Sequence, residues 1–359
     1  MSLEGGWLCS SASVRAGAPW LIAGANQGDV VISSRVRLAR NLTEFAFISR
    51  CDTDTRAQVL TRIQRHVPVA KLAEQIAWCD LHATSALERQ LLVERHLISK
   101  EHAKGEQPRA VIVSVPDERL SIMVNEEDHL RIQVLRPGLA LDEAMGAIDE
   151  ADDRLEAGLD FAFSPRFGYL TACPTNVGTA VRFSVMLHLP GLRLTGEIDK
   201  AKRAARDMCL AVRGFYGEGS EALGDLYQVS NQTTLGRPES ALLKELQHDI
   251  LPQVLEFERQ ARKTMLDKRR RTLEDQVFRS LGLLRHARLL TPEEALTHLS
   301  LVRLGILLGL IADIELASVN QLLVQCQPAH LQRLAGRELD QQQRREARSD
   351  LVRQVLKGS

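Results

Sequence analysis

Hydrophobic and polar positions divide the 359-residue chain into stretches of different rhythm. The first thirty residues are rich in Gly, Ala and Ser without a sustained period, and read as an N-terminal tail over 1–30. Apolar positions then recur at helical spacing over 56–74 and 84–99. The period shortens over Ala110–Val115, Leu120–Val124 and Leu130–Leu135. These runs of Val, Ile and Leu are separated by Pro116-Asp117-Glu118 and Asn125-Glu126-Glu127-Asp128, which is the pattern of an antiparallel meander. Helical spacing returns over 138–158. Phe161–Phe163 and Gly168–Thr171 suit short strands about Pro165, and Gly178–Leu189 suits a helix ended by Pro190-Gly191. Leu210–Tyr216 and Leu226–Ser230 suit strands. Beyond about residue 239 the pattern is helical to the end, and Thr291-Pro292-Glu293-Glu294 is a capped helix start. The expected fold is α+β: an antiparallel β-sheet flanked by helices over 31–240, then an all-helical C-terminal domain over 241–359.

Composition narrows the function classes. Lys+Arg and Asp+Glu both number 46, so the formal net charge is zero, which argues against a strongly basic nucleic-acid binder. Only nine of the 46 cations are lysines, and arginine is the cation that suits phosphate and carboxylate. The six cysteines form no CxxC pair and suit neither a zinc site nor a disulfide framework, so a reducing cytoplasm is expected. Met1–Gly28 lacks the basic start and apolar block of a secretory signal, and the most apolar run, Leu304–Ala312, is too short to span a bilayer. No membrane association is expected.

The Walker, dinucleotide, zincin and nucleophile-elbow signatures are absent. What remains are arginines and carboxylates near predicted strand ends. Alternation puts Arg35 and Arg37 on one side of an extended Val30–Asn41, where two guanidinium forks suit a polyphosphate or a solvated strand edge. Glu126, Glu127 and Asp128 crowd one turn. A cation there would satisfy them, and the crowding would tune one as a base; a plain polar hairpin has the same composition. Cys173 precedes Pro174 and small residues, so a helix opening there would favour a thiolate, with Arg182 about one turn in; a buried inert cysteine is the alternative. Arg213-Gly214-Phe215-Tyr216-Gly217-Glu218 is a glycine-punctuated loop after a strand, offering an arginine and a carboxylate or simply a surface turn.

Together, SSRVR at 33–37, NEEDHLR at 125–131, CPTNVGT at 173–179 with Arg182, and RGFYGE at 213–218 resemble the phosphagen (ATP:guanido) kinases in order and separation. In the members that act on free metabolites a small helical domain precedes SSRVR. Here 32 residues precede Ser33, and helices follow the catalytic segment instead. That arrangement, with SNQTTLGRPE at 230–239, is similar to the bacterial protein-arginine kinases (McsB type) of this family.

The resemblance implies ATP-dependent phosphorylation of arginine side chains in proteins, as a degradation or stress-response mark. Kinase action on a free guanidino metabolite and a catalytically weak phosphoarginine-binding adaptor are the alternatives. It implies that Arg35, Arg37, Arg131, Arg182 and Arg213 clamp ATP, within binding segments Ser33, Ser34, Arg35, Val36, Arg37; Arg182, Phe183, Ser184, Val185, Met186; and Arg213, Gly214, Phe215, Tyr216, Gly217, Glu218. His96 would lie on the adenine side. Glu127 and Glu218 would grip the acceptor guanidinium, Glu127 taking its proton, and Cys173 would tune it as a thiolate. Mg²⁺ would be held through the nucleotide phosphates, without a protein metal cage. Implied partners are proteins with exposed arginines, an activator protein and a Clp-type protease. Arg344 and Arg348 stand where the family has a phosphoarginine pocket, although Arg345 and Ser349 depart from its motif; a basic solvated helix over 340–356 is the alternative. An apolar stripe over Leu301–Ile314 suits either a homodimer contact or ordinary core.

Overall fold

The computed structural model describes residues 2–4, 10–214 and 223–357. The strands are β1 (Ser2–Glu4), β2 (Val31–Arg40), β3 (Ile76–Asp80), β4 (Ala110–Ser114), β5 (Leu120–Val124), β6 (Leu130–Pro137), β7 (Phe163–Ser164), β8 (Gly168–Tyr169), β9 (Val181–His188), β10 (Leu210–Arg213) and β11 (Leu226–Asn231). Nine of them make one sheet in the order β1-β3-β4-β5-β6-β2-β9-β11-β10, and β7 and β8 form a separate hairpin. Every pairing in the large sheet is antiparallel except β1 with β3.

The helices in the first half are α1 (Ser11–Ala16), α2 (Thr53–Ala70), α3 (Ala86–Glu94), α4 (Lys100–Lys104), α5 (Leu141–Glu156), α6 (Pro190–Leu194) and α7 (Ile198–Asp207). Then come α8 (Glu239–Lys244), α9 (Leu251–Lys268), α10 (Arg270–His286), α11 (Pro292–Leu307), α12 (Leu316–Gln325), α13 (Pro328–Ala335) and α14 (Gln341–Leu356). A six-residue π-helical stretch, Glu245–Ile250, joins α8 to α9. Thr291 caps α11 reciprocally with Glu294, as its sequence predicts.

The sheet buries its two faces differently. One face is continuous core: Val36, Leu38, Ile132, Val134, Val181, Phe183, Val185 and Leu187 pack against α2, α5 and α9. On the other face, α1, α3 and α13 cover β3–β5 through Leu91, Leu92, Val111, Val113 and Ala329. The ends of β2, β6, β9 and β11 meet the C-terminal helices through Ile32, Leu135, Met186 and Leu226. Between these covers lies an open stretch of sheet. Leu304, Ile311 and Ile314 are buried in the helical core and Leu301 is buried too, whereas Ile306, Leu307, Leu308 and Leu310 of the same stripe are half-buried.

Two expectations need correction, and one strand has no counterpart in the sequence reading. Gly178–Leu189 is not a helix. Val181–His188 is a central strand: Val181, Phe183, Val185 and Leu187 fill the continuous core and alternate with Arg182, Ser184, Met186 and His188 on the other face, the two-residue period of a strand rather than the spacing of a helix. Ile76–Asp80 is a strand that its short apolar run does not announce. Residues 10–30 fold onto the sheet: Val14, Trp20 and Leu21 are buried, and Trp20 Nε1 donates to the Arg95 carbonyl at 3.3 Å.

A polar network joins sheet to helices. Arg303 on α11 donates to His188 Nδ1 at 2.7 Å, to the carbonyls of Gly28 and Asp29, and to Asn320 on α12. Because arginine only donates, His188 Nδ1 accepts and its proton sits on Nε2, 2.9 Å from Ser300 Oγ. Ser300 in turn donates to Asp225 at 2.6 Å. Burial and Arg303 hold the His188 imidazole neutral, its pKa well below the usual histidine range. On α9, Glu258 accepts the N–H groups of Gly191 and Leu192 and pairs with Arg262 at 2.7 Å.

Candidate active site

The open stretch of sheet is an arginine rack. Cross-strand partners share a face, and Arg37 stands opposite Arg182 on β9 and Gln133 on β6, while Arg35 stands opposite Ser184 and Leu135. Arg131 lies two residues before Gln133, and Arg213 opposes Gln228. Four strands thus raise Arg131, Arg35, Arg37, Arg182 and Arg213 on one side, and all but Arg182 line a cleft of about 1220 Å³ with His96 and Glu127. Arg182 joins Arg37, Arg131 and Arg213 in the adjoining hollow beside Glu127 and Asn176.

Within the rack, Arg35 and Arg131 are held by partners. Arg35 donates to Gln228 Oε1 at 2.7 Å, and Arg131 pairs with Glu126 at 2.7 Å. Arg37 is 8% exposed, and among the described residues its guanidinium has no hydrogen-bond or ion-pair partner. Burial pushes Arg35 down to about 9, helped by Arg131, Arg182 and Arg213. Burial, then Arg131, Arg35 and Arg182, push Arg37 well below the ordinary arginine value. A multiply charged anion would relieve this repulsion.

The three carboxylates of the β5–β6 turn separate into three roles. Glu126 accepts from Arg131 and from Ser99 Oγ at 2.6 Å. These contacts overcome its burial and bring its carboxyl down to about 2. Asp128 is buried and accepts Asn41 Nδ2 at 2.6 Å and the Ala172 N–H at 2.7 Å, tying the turn to the loop that carries Cys173. Glu127 points into the cleft with no side-chain partner among the described residues. Partial desolvation and its neighbours Asp128 and Glu126 raise its pKa. The turn therefore presents one basic carboxylate to a cleft of guanidinium groups.

Other expected residues are placed as follows. His96, at φ +60°, lines the cleft, and its ring meets Trp20 edge-on at 4.9 Å; burial brings the imidazole down to about 3, so it is neutral. Ser33, Ser184, Met186 and Gln228 line a small hollow between Trp20 and Arg35. Val36, Phe183 and Val185 turn their side chains to the opposite core, so only their backbone belongs to the rack. Ser34 likewise faces away, its hydroxyl donating to the Gly138 carbonyl at 2.8 Å. Cys173 precedes a three-residue 3₁₀ turn, Pro174–Asn176, followed by a strand. The helix terminus expected to favour its thiolate is not there, and Sγ sits 3.1 Å from Thr175 Oγ1. Gly214 is buried after β10, and Phe215, Tyr216, Gly217 and Glu218 lie outside the described residues. Among the described residues no three His, Cys, Asp or Glu side chains converge as a metal site.

Arg348 is 1% exposed; it donates to the carbonyls of Cys326 and Leu290, both at 2.7 Å. Arg344 donates to the Leu339 carbonyl at 2.6 Å. The helix expected to be solvated thus has one arginine bound into the fold. Sequence reasoning misses Trp20, Ser99, Asn41 and Gln228. Only Asn41, adjacent to the arginine-rich strand, carries a local signal. Among the described residues no helix is long and apolar enough to cross a membrane.

Comparison with known proteins agrees with this geometry. The profile of the ATP:guanido phosphotransferase C-terminal catalytic domain matches residues 58–261, and that of the protein-arginine kinase McsB C-terminal domain matches 270–359. The protein-arginine kinase of Halothermothrix orenii is 45% identical over 94% of this chain and 96% of its own length. That of Moorella thermoacetica is 44% identical over 97% of this chain and 100% of its own. The duplicated taurocyamine kinase of Schistosoma mansoni, solved with bound transition-state analogue components, superposes with a TM-score of 0.56 at 25% identity, covering 67% of this chain and 35% of that one. Lombricine kinase superposes with a TM-score of 0.56 at 22% identity over 67% of this chain and 69% of its own, a likeness of fold. The chain belongs to the ATP:guanido phosphotransferase family, in its protein-arginine kinase branch.

Proposed function

We propose that the protein transfers the γ-phosphoryl group of ATP to the guanidinium of arginine side chains in other proteins. The observation that carries this reading lies in one cleft. There a buried Arg37 amid further arginines meets a Glu127 of raised basicity, and neither side chain has a partner among the described residues. Phosphoryl transfer asks for positioning and charge stabilisation more than covalent chemistry. Arg35, Arg37, Arg131, Arg182 and Arg213 hold the triphosphate, and the neutral His96, braced by Trp20, serves the base side. Glu127 orients the acceptor guanidinium. A guanidinium nitrogen forms the bond to the γ-phosphorus, the bond to the β-phosphate bridging oxygen breaks, and ADP leaves. The nitrogen's proton passes to the Glu127 carboxylate. Glu126 remains ionised and fixes Arg131, while Asp128 and Asn41 hold the Cys173 loop at the acceptor end. Mg²⁺ carried on the nucleotide phosphates supplies further charge neutralisation. On this reading the enzyme shares the cytoplasm with ATP and its acceptors.

The test is phosphoarginine formation. Protein, Mg-ATP and an arginine-rich acceptor protein are incubated, and the acid-labile P–N bond is read by phosphorus NMR. Signal on the acceptor protein, absent with free arginine and lost in Glu127→Ala, is the expected result. Signal with free arginine alone refutes the protein-acceptor reading, and no signal with either acceptor refutes transfer altogether.

A further inference from the structure

The segment 176–180 separates two hollows. On one side Asn176 and Ala180 face the cleft beside Glu127 and Arg182. On the other, Gly178 and Thr179 floor an open groove between the β7–β8 hairpin and the turn 234–237. Three bulky apolar side chains stand around this groove: Phe163, Phe167 and Leu235, exposed by 56%, 43% and 55%. Single exposed apolar residues are ordinary, but three around one concavity are not. Arg166 lies over the Phe167 ring at 4.9 Å and has no acidic partner among the described residues.

The groove is rigidly built. Tyr169 and Gly178 exchange backbone hydrogen bonds at 2.8 and 3.3 Å, and Thr234 Oγ1 donates to the Val177 carbonyl at 2.8 Å. Gly178 has φ +117°, and a Cβ there would lie 2.8 Å from the Thr234 carbonyl oxygen, so only glycine allows this close approach. The Phe163 ring packs edge-on against Tyr169 at 5.3 Å, and Tyr169 in turn supports Arg40 at 3.5 Å. The floor is the Gly178 backbone with Thr179 beside it, and the walls are preformed, as a peptide-binding surface requires.

We propose that this groove docks the acceptor polypeptide beside the arginine being phosphorylated. The inference rests on the protein-arginine kinase reading and deepens it. A guanidinium is the same group in a free amino acid and in a protein, so contacts within the cleft cannot tell them apart. A protein acceptor must leave the cleft across its rim, and segment 176–180 is part of that rim. The groove begins one chain thickness away, roughly 5 Å, which places its occupant about two to four residues from the arginine. A bulky aliphatic or aromatic side chain fits among Phe163, Phe167 and Leu235, and an acidic side chain fits beside Arg166. The occupant is thus an extended segment of mixed apolar and acidic character.

Two twelve-residue peptides test this, each with one central arginine. One carries Leu and Asp within four residues on both sides of the arginine, and the other carries Ser at those positions. Wild type, Phe167→Ser, Leu235→Ser and Arg166→Glu are compared by steady-state kinetics. The expected result is a KM for the Leu/Asp peptide about tenfold to a hundredfold below that for the Ser peptide. The two apolar variants and Arg166→Glu erase much of that preference, leaving kcat and the KM for Mg-ATP unchanged. Equal KM values for the two peptides in wild type overturn the docking proposal while leaving the kinase reading intact. So do variants that depress kcat alike on both peptides. A wild type that phosphorylates no peptide or protein overturns both.

Discussion

Replacing Arg37 by Met separates what that arginine does for the empty protein from what it does for ATP. The guanidinium is 8% exposed, stands opposite Arg182, and has no partner among the described residues. A buried unpaired charge costs several kcal/mol, and replacing buried ionic groups with apolar residues of similar volume commonly stabilises by about 1–4 kcal/mol. Arg37→Met should therefore raise the stability of the nucleotide-free protein by about 1–3 kcal/mol, a few degrees in Tm for a chain of this size. In the ATP complex the same change removes a charge-assisted contact to the triphosphate, a loss of about 2–5 kcal/mol, or roughly 30-fold to several thousand-fold in Kd. The assay is a pair of thermal scans with and without saturating Mg-ATP, together with calorimetric titration. The signature is a crossing: the variant melts above wild type when empty, yet gains less from nucleotide. A variant that melts lower when empty and binds Mg-ATP as tightly as wild type refutes the reasoning, because Arg37 would then be a structural cation.

Glu127→Gln should lower kcat about 10²–10⁴-fold with little change in the KM for Mg-ATP. Because the Glu127 carboxyl is raised above its usual value and acts when deprotonated, wild-type activity should fall as pH drops through that raised value; a pH–rate profile should show this acid limb and its loss in the variant. Glu126 is held at about 2 by Arg131 and Ser99 against an ordinary 4.5. Its contribution, up to about 3 kcal/mol, is complete above 4.5 and lost as pH falls toward 2. Acid unfolding followed by circular dichroism should consequently show Glu126→Gln losing less stability than wild type across that window. Arg348→Met leaves the Cys326 and Leu290 carbonyls without their donor, so a loss of about 2–4 kcal/mol is expected in denaturant unfolding. An unchanged midpoint would refute a structural role for Arg348.

The parts of the site that can be read from the chain are those in which chemistry and local order coincide. Arg35 and Arg37 alternate along one strand, and the NEEDH turn concentrates three carboxylates, so rack and base are both visible in the order of the residues. Their assignment to separate tasks is not. Glu126, Glu127 and Asp128 differ only in what reaches them from afar: Arg131 and Ser99, open cleft, and Asn41 with Ala172. β9 is another case: Val181, Phe183, Val185 and Leu187 alternate with Arg182, Ser184 and His188, so its two-residue period stands in the chain, between Gly178 and a Pro190-Gly191 pair that equally suit the ends of a helix. Trp20 is illegible for a different reason. Its partner His96 is 76 residues away and takes a left-handed backbone conformation that no local pattern announces.

The chain of hydrogen bonds from Asp225 through Ser300 and His188 to Arg303 bears on modular construction. Asp29, His188 and Asp225 belong to the sheet half of the chain, whereas Ser300, Arg303 and Asn320 belong to the helical half. Cutting near residue 240 would strip His188 and Asp225 of a donor each on one fragment, and leave Arg303 with Asn320 but without its backbone and imidazole acceptors on the other. A chimera that grafts the helices of a distant relative onto this sheet would have to transplant both sides of the chain together. The seam between the halves is a matched lock, so the two can be inherited or engineered only as a set.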